Sequence, residues 1–218
     1  MCNVGFIPVR AGSKGLKSKN ILDLAGKPLV WYSLFSAQNS KLDEVYLSTD
    51  SDIIRSVVEG FGFDKVKVIA RSAETASDKA TSESALLEFA KNYSFDNVVF
   101  LQATSPFTTS EDINGALDKF LFGGYNSLIS VVKNHQFIWS VEGKPLNYDP
   151  NNRPRRQDWD GYYVENGAFY ISSRENILKS QCRITSPVGV WEMPKASLTE
   201  IDSEEDMRLA EGIINILR

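Results

Sequence analysis

The sequence predicts an α/β protein with a mainly parallel sheet flanked by helices and one inserted β arm. Three observations lead there. Short apolar runs alternate with segments of helical spacing as far as Val132, and the first run opens into a basic, glycine-bearing loop. Beyond Val132 the alternation stops, and a stretch rich in Gly, Pro, Asn and charge takes over. Alternation of this kind implies βαβ units with right-handed crossovers. Ligands in such sheets gather beyond the carboxyl ends of the strands.

Val4–Val9 reads as the first strand. It ends in Arg10-Ala-Gly-Ser-Lys-Gly-Leu-Lys-Ser-Lys-Asn20, where Gly12 and Gly15 let the main chain approach a ligand closely. Ser13, the backbone N–H groups, Arg10, Lys14 and Lys19 supply donors and positive charge, a combination that suits a polyphosphate. The loop lacks the Gly-Lys-Ser/Thr of a Walker A motif and the G-x-G-x-x-G of a dinucleotide fingerprint. Taken alone, it also reads as a solvated β-to-α turn.

Gly26 and Pro28 punctuate the chain, and Pro28 suits the first turn of a helix over Leu29–Gln38. Period-two and 3.6-residue spacing then place strands at Glu44–Ser48, Val66–Ala70, Val98–Gln102 and Ser127–Val132. Helices are placed at Ser51–Gly60, Ser82–Asn92 and Ser110–Phe122. The polar loop Arg71–Ser82 is long enough to wrap a ligand, although by itself it reads as a surface loop with Ser82 capping the next helix. At the end of the fourth strand, in Leu101-Gln-Ala-Thr-Ser-Pro106, Gln102 offers both donor and acceptor.

Residues 133–164 read as an inserted arm rather than a second domain. His135–Val141 is strand-like, and strand character returns at Tyr162–Val164 and Ala168–Ile171. Trp139, Trp159, Tyr162 and Tyr163 would bury themselves against another subunit or cover the parent core. Arg153-Pro-Arg-Arg-Gln-Asp158 concentrates guanidiniums suited to carboxylates and phosphates. In Glu200-Ile-Asp202, alternation puts two carboxylates on one side of an extended segment, a pair suited to Mg²⁺ or to an acidic helix entry. Ser203–Leu217 reads as the last helix, with Ser203 as cap and Asp206 completing a capping box. His135, the single histidine, fits a structural role on the arm.

A chain of 218 residues most simply forms one domain. Its formal charge of −4 argues against general nucleic-acid binding, so the basic loop points to a small anionic ligand. Cys2 and Cys182 have neither metal-ligand spacing nor a disulfide pattern. With no secretory leader and no membrane span legible, a cytoplasmic protein is expected.

Five segments, in order, resemble the CMP-sialic acid synthetase (acylneuraminate cytidylyltransferase) family: Phe6–Val30, Arg71–Ser82, Leu101–Pro106, Arg153–Ile171 and Glu200–Asp206. The stretch Arg153-Pro-Arg-Arg-Gln-Asp-Trp-Asp-Gly161 looks especially like the animal enzymes. The resemblance implies a Rossmann-like nucleotide-diphospho-sugar transferase fold, CTP, Mg²⁺ and a homodimer formed through the arm. It also implies transfer of CMP to a nine-carbon 2-keto sugar acid with release of pyrophosphate. By the same resemblance Arg10, Ala11, Gly12, Ser13, Asn20, Arg71 and Ser82 would hold the nucleotide. Arg10, Lys14 and Lys19 would stabilise the leaving group, and Asp202 with Glu200 would hold the metal. Gln102, Thr104, Ser105, Arg156 and Gln157 would face the sugar acid, the last two in either subunit's site.

No general base is assigned; metal-assisted ionisation of the sugar hydroxyl demands least. The family's first metal acid is commonly Asp and here is Glu200. Arg183 and Ile184 stand where some bacterial members carry an aromatic pair, and a basic arm residue is replaced around Ile138–Trp139. Both changes touch the sugar end, which leaves N-acetylneuraminate, Kdn and legionaminate open. A cytidylyltransferase for the eight-carbon acid Kdo, a sugar-1-phosphate nucleotidyltransferase and a non-catalytic nucleotide-sugar binder are the other readings.

Overall fold

The computed structural model describes residues 1–12 and 16–217. Strands β1 (Asn3–Pro8), β4 (Glu44–Thr49), β5 (Val66–Ala70), β6 (Asn97–Leu101), β7 (Ser127–Asn134), β8 (Tyr162–Ser173) and β9 (Val188–Glu192) form one sheet in the order β5-β4-β1-β6-β8-β7-β9. The pairs β5/β4, β4/β1, β1/β6 and β7/β9 are parallel, whereas β8 runs antiparallel to both β6 and β7. Strands β2 (Asp23–Leu24) and β3 (Lys27–Pro28) make a separate hairpin.

The central strands β1 and β6 are covered on both faces, which is why they read as almost unbroken apolar runs. Side-chain alternation sorts them. Ile7, Val99 and Leu101 join the core under α1 (Leu29–Gln38), α2 (Asp52–Glu59) and α5 (Ser110–Phe122). Val4, Phe6, Val98 and Phe100 point the other way, under α4 (Ser82–Asn92) and α6 (Arg174–Ser180). On that second face Phe6 stacks on Phe89 with centroids 4.4 Å apart. A third cluster of Leu24, Leu29, Ile201, Ala210 and Ile214 seats α7 (Glu204–Leu217) beside the small hairpin. A short helical turn, α3 (Ala73–Ala76), lies in the loop after β5.

The predicted βαβ half agrees with the structure to within two residues at every element end. Ser51, Ser72, Thr81, Thr109 and Ser173 cap their helices through side-chain oxygens, so Thr81, rather than Ser82, is the cap of α4. Pro28 is likewise the residue that precedes α1, not one inside its first turn. Ser203 and Asp206 do exchange the reciprocal hydrogen bonds of a capping box. The β2/β3 hairpin escaped the sequence reading because its strands are two residues long. Its turn places Ala25 and Gly26 at φ of 51° and 88°, the left-handed pair of a two-residue hairpin.

The second half departs further from expectation. His135–Val141 forms no strand, and one isolated bridge pairs Trp139 with Pro145. Local side-chain acceptors take its amides instead: Asn134 Oδ1 accepts from Gln136 N and Asn147 Oδ1 from Ile138 N, each at 2.8 Å. The two short strands expected at Tyr162–Val164 and Ala168–Ile171 are one strand, β8, of 12 residues. Polar Glu165-Asn166-Gly167 interrupts its apolar pattern at a register shift opposite Ile129–Val131, where Gly167 sits at φ 67°. Strand β9 and helix α6 were not foreseen, being short and flanked by polar residues.

Strand β9 is fastened to α5 by Trp191. Its indole N–H donates to Asp112 Oδ1 at 3.1 Å, and its ring lies over Gly115. A Cβ at Gly115 would come within 2.1 Å of the ring. Gly115→Ala should therefore destabilise by about 1–3 kcal/mol through overpacking, the reverse of the gain of ~1 kcal/mol usual for Gly→Ala inside a helix. Urea unfolding gives the sign, and a stabilised variant would refute this packing.

Candidate active site

Parallel strands that start together also end together, so β1, β4, β5 and β6 release their loops at one edge of the sheet. There a cleft of about 350 Å³ is lined by residues from four of the five motif segments. Pro8 ends β1, Arg10, Lys19 and Asn20 come from the loop after it, and Arg71 follows β5. Ala80, Thr81 and Ser82 come from the start of α4, Gln102, Ala103 and Thr104 from the end of β6, and Asp202 from the approach to α7. Thr81 and Ser82 also bring the N-terminal end of α4, the positive end of its dipole, to the border of this space.

Each cation is already held by an oxygen. Arg10 Nη1 donates to Asp78 Oδ1 at 2.8 Å and to the Ser77 carbonyl at 3.2 Å. Lys19 Nζ meets Asp202 Oδ1 at 2.7 Å, with the lysine side chain 13% exposed. Asp50 Oδ1 accepts from Ala11 N at 2.8 Å and so pins the entrance of the basic loop. Arg71 donates through Nη2 to the Thr75 carbonyl, and its Nε is buried without a partner among the described residues. Burial pulls the Arg71 guanidinium down, and Arg10 adds to this, while Asp50 and Glu88 oppose. A clustered set of cations balanced by acids is suited to an anion that can exchange places with the carboxylates.

The structure gathers Arg10, Lys19, Asn20, Arg71, Ser82, Gln102, Thr104 and Asp202 into this lining. Ala11 and Gly12 lie exposed beside it; Gly12 has open space around a would-be Cβ and needs no left-handed backbone. Among the described residues of the loop, Ser18 is left-handed, at φ 54°. The expectations for Ser13 and Lys14 fall outside the described residues. Ser105 is not in the lining: it is 2% exposed, with its hydroxyl buried and without a partner among the described residues. Arg156 and Gln157 are not there either. Arg156 borders a separate groove of about 430 Å³ with His135, Gln136 and Lys195, and Gln157 is exposed on the arm. Arg183 folds onto the sheet, 4.3 Å from the Tyr170 ring centroid, with Glu83 at 2.9 Å.

Glu200 and Asp202 both face solvent, separated by fully buried Ile201, as alternation requires. Glu200 Oε1 accepts from Thr104 Oγ1 at 3.1 Å, and the Ile201 amide donates to the Thr104 carbonyl at 3.0 Å. Two hard oxygen donors beside a cationic cleft fit a Mg²⁺ ion that completes its shell with waters and phosphate. Among the described residues no group of three or more His, Cys, Asp or Glu could hold a metal, so the pair would need such outside ligands. Sequence reasoning missed Asp50, Asp78 and Glu88. They are ordinary acids in the sequence, and only the fold sets them against Arg10, Arg71 and the loop.

A mixed sheet of mostly parallel strands flanked by helices, as here, is the nucleotidyltransferase fold. Two solved structures share it: a CMP:2-keto-3-deoxy-manno-octonic acid synthetase complexed with CTP, and 4-diphosphocytidyl-2C-methyl-D-erythritol synthase from Anaerococcus prevotii. The first has a TM-score of 0.75 and 18% identity and covers all of both chains. The second has a TM-score of 0.72 and 16% identity, covering 98% of this chain and 96% of that one. The chain belongs to the cytidylyltransferase family, whose model, described as Cytidylyltransferase, matches residues 4–208. It is 40% identical to N-acylneuraminate cytidylyltransferase of Oncorhynchus mykiss and 38% identical to N-acylneuraminate cytidylyltransferase B of Danio rerio, each across 94% of this chain. A Streptococcus agalactiae N-acylneuraminate cytidylyltransferase is 32% identical across 92% of it. The chain spans about half the length of these curated relatives, 49% to 50%.

Asp202 stands where it does because α7 starts immediately after it. Asp206 accepts from Asp202 N at 3.0 Å and Ser203 N at 2.8 Å. The Ser203 hydroxyl first, and these amides next, hold the Asp206 carboxyl below its ordinary value. A depressed folded-state pKa contributes stability in full above the unfolded value and loses it as pH falls through the folded one. Relative to Asp206→Asn, the wild-type advantage in urea unfolding should be present at neutral pH and fade on acidification through the carboxylate range. An advantage that grew on acidification would contradict the assignment.

Proposed function

We propose that this protein is a cytidylyltransferase that activates a nine-carbon 2-keto sugar acid of the sialic type with CTP, giving the CMP-sugar and pyrophosphate. The observation that carries the reading is the convergence of Arg10, Lys19, Asn20, Arg71, Ser82, Gln102 and Asp202 on one cleft from distant parts of the chain. The names of the relatives from Oncorhynchus mykiss, Danio rerio and Streptococcus agalactiae support the same reading.

In this scheme Asn20, Arg71 and Ser82 hold the cytidine and its phosphates, with Ala11, Gly12 and Ser13 offering main-chain donors. Gln102 and Thr104 face the sugar acid, with Ser105 beneath them. The anomeric hydroxyl gives up its proton to solvent, and its oxygen bonds to the α-phosphorus as the bond from that phosphorus to the bridging oxygen breaks. Pyrophosphate leaves with the electron pair, and Arg10, Lys14 and Lys19 meet the charge it gains. The protein's contribution is positioning and electrostatic stabilisation. Mg²⁺, held by Asp202 and Glu200, would neutralise phosphate charge and acidify the sugar hydroxyl when bound.

Residues 1–218 act as one cytidylyltransferase domain, in the cytoplasm, as a homodimer joined by the arm at about 133–164. Exposed Trp139, Val141, Leu146 and Tyr163 on or beside that arm provide the apolar area for such a contact. Pairing would bring Arg156 and Gln157 to the partner's cleft, where Arg156 would fork onto the sugar carboxylate.

Pyrophosphate release should appear with CTP, Mg²⁺ and one of N-acetylneuraminate, Kdn or legionaminate. Release with Kdo alone would move the protein to the eight-carbon branch, and none with any acid despite CTP binding would favour a nucleotide-sugar binder. Asp202→Asn should lower turnover by about 10²-fold or more, from loss of charge stabilisation at the phosphates, while CTP still binds. Unchanged turnover would remove Asp202 from the metal site.

A further inference from the structure

Arg71 lines the cleft, yet among the described residues its side chain makes one hydrogen bond, from Nη2 to the Thr75 carbonyl. Its Nε is buried and unpartnered. A guanidinium held at one point goes where that point goes, so Thr75 decides where Arg71 sits. Thr75 is 7% exposed and belongs to the turn opened by Ser72, whose hydroxyl accepts from Thr75 N at 3.2 Å. The tertiary contact that fixes this turn comes from α4: Thr75 Oγ1 donates to Glu88 Oε2 at 2.5 Å. The same helix presents Ser82 to the cleft one and a half turns earlier.

The geometry points to Glu88 as the positioning residue for Arg71: by clamping the Ser72–Thr75 turn against α4, it sets the guanidinium for the nucleotide. This rests on the reading of the cleft as a CTP site. Glu88 itself does not line the cleft. Burial pushes its carboxyl up, but hydrogen bonds from Thr75 and Ser72 and the charge of Arg71 together bring it below its ordinary value. A carboxylate carries its negative charge at neutral pH.

That charge makes the role separable from simple electrostatics. A carboxylate near an anion site weakens anion binding through charge alone, so its removal would tighten CTP binding. A positioning role has the opposite sign. The test is calorimetric binding of CTP to wild type, Glu88→Leu, Glu88→Gln, Arg71→Ala and the double variant Arg71→Ala/Glu88→Leu, with thermal unfolding alongside. Glu88→Leu should weaken CTP binding by about tenfold, the scale of one lost hydrogen bond to a charged group. Glu88→Gln keeps an acceptor for Thr75 and should lose less. In the Arg71→Ala background Glu88→Leu should cost nothing further, because coupled residues are not additive. Tighter or unchanged binding in Glu88→Leu, or an equal loss in both backgrounds, would overturn the inference even if Tm falls. Should Glu88→Leu fail to fold, Thr75→Val removes the same hydrogen bond and must reproduce the loss. Wild type that bound no CTP would instead remove the nucleotide reading on which the inference stands.

Discussion

Strand β1, paired in parallel with β4 on one side and β6 on the other, is the constraint from which the cleft follows. Its pairing with β4 runs from Val4↔Glu44 to Pro8↔Ser48, and with β6 from Asn3↔Asn97 to Phe6↔Phe100. The register is strongly specified because Ile7 must face one core and Val4 and Phe6 the other, and a one-residue slip would exchange them. Once that register is set, Arg10, Arg71 and Gln102 leave the sheet at the same edge, although up to 92 positions separate them in the chain. Three cations and several amide donors then share one space because the strands end together.

Such a concentration of positive charge has to be stable before any ligand arrives. Asp78, Asp202, Asp50 and the Thr75 carbonyl meet that requirement, each occupying a donor that an anion could take over. The Lys19–Asp202 pair closes the cleft across 183 positions of sequence and fastens the approach to α7 onto the basic loop. Salt bridges between exposed groups contribute little to stability, but this lysine is mostly covered, and the pair sets a carboxylate in the lining of the cleft. Charge balance in the resting protein and charge exchange on binding are then two uses of the same groups.

Residues 135–161 follow different physics. Between Asn134 and Tyr162 the described backbone is held largely by side-chain caps, two short 3₁₀ turns and an aromatic stack rather than by a ladder. Phe137 stacks on Trp159 at 5.0 Å, Tyr148 packs beside it, and Arg153 covers Phe137 at 4.3 Å. A segment that satisfies its backbone locally can project without being buried, which leaves Trp139 and Leu146 uncovered.

The sequence by itself determined the parallel half of the fold and nearly all of the cleft's lining. Apolar runs buried on both faces, helix caps and a glycine-bearing basic loop are local signals, each readable within a window of about a dozen residues. Register shifts, edge strands and ion pairs are not local. The merging of two apolar runs into β8 depends on a bulge opposite β7, and β9 exists because Trp191 finds Asp112 and Gly115 on α5. Asp50 and Glu88 lie outside every motif segment, and Asp78, although inside Arg71–Ser82, carries no signal of its own. Only the tertiary structure made them part of the site, because a carboxylate acquires its role from the cation or turn that folding sets against it.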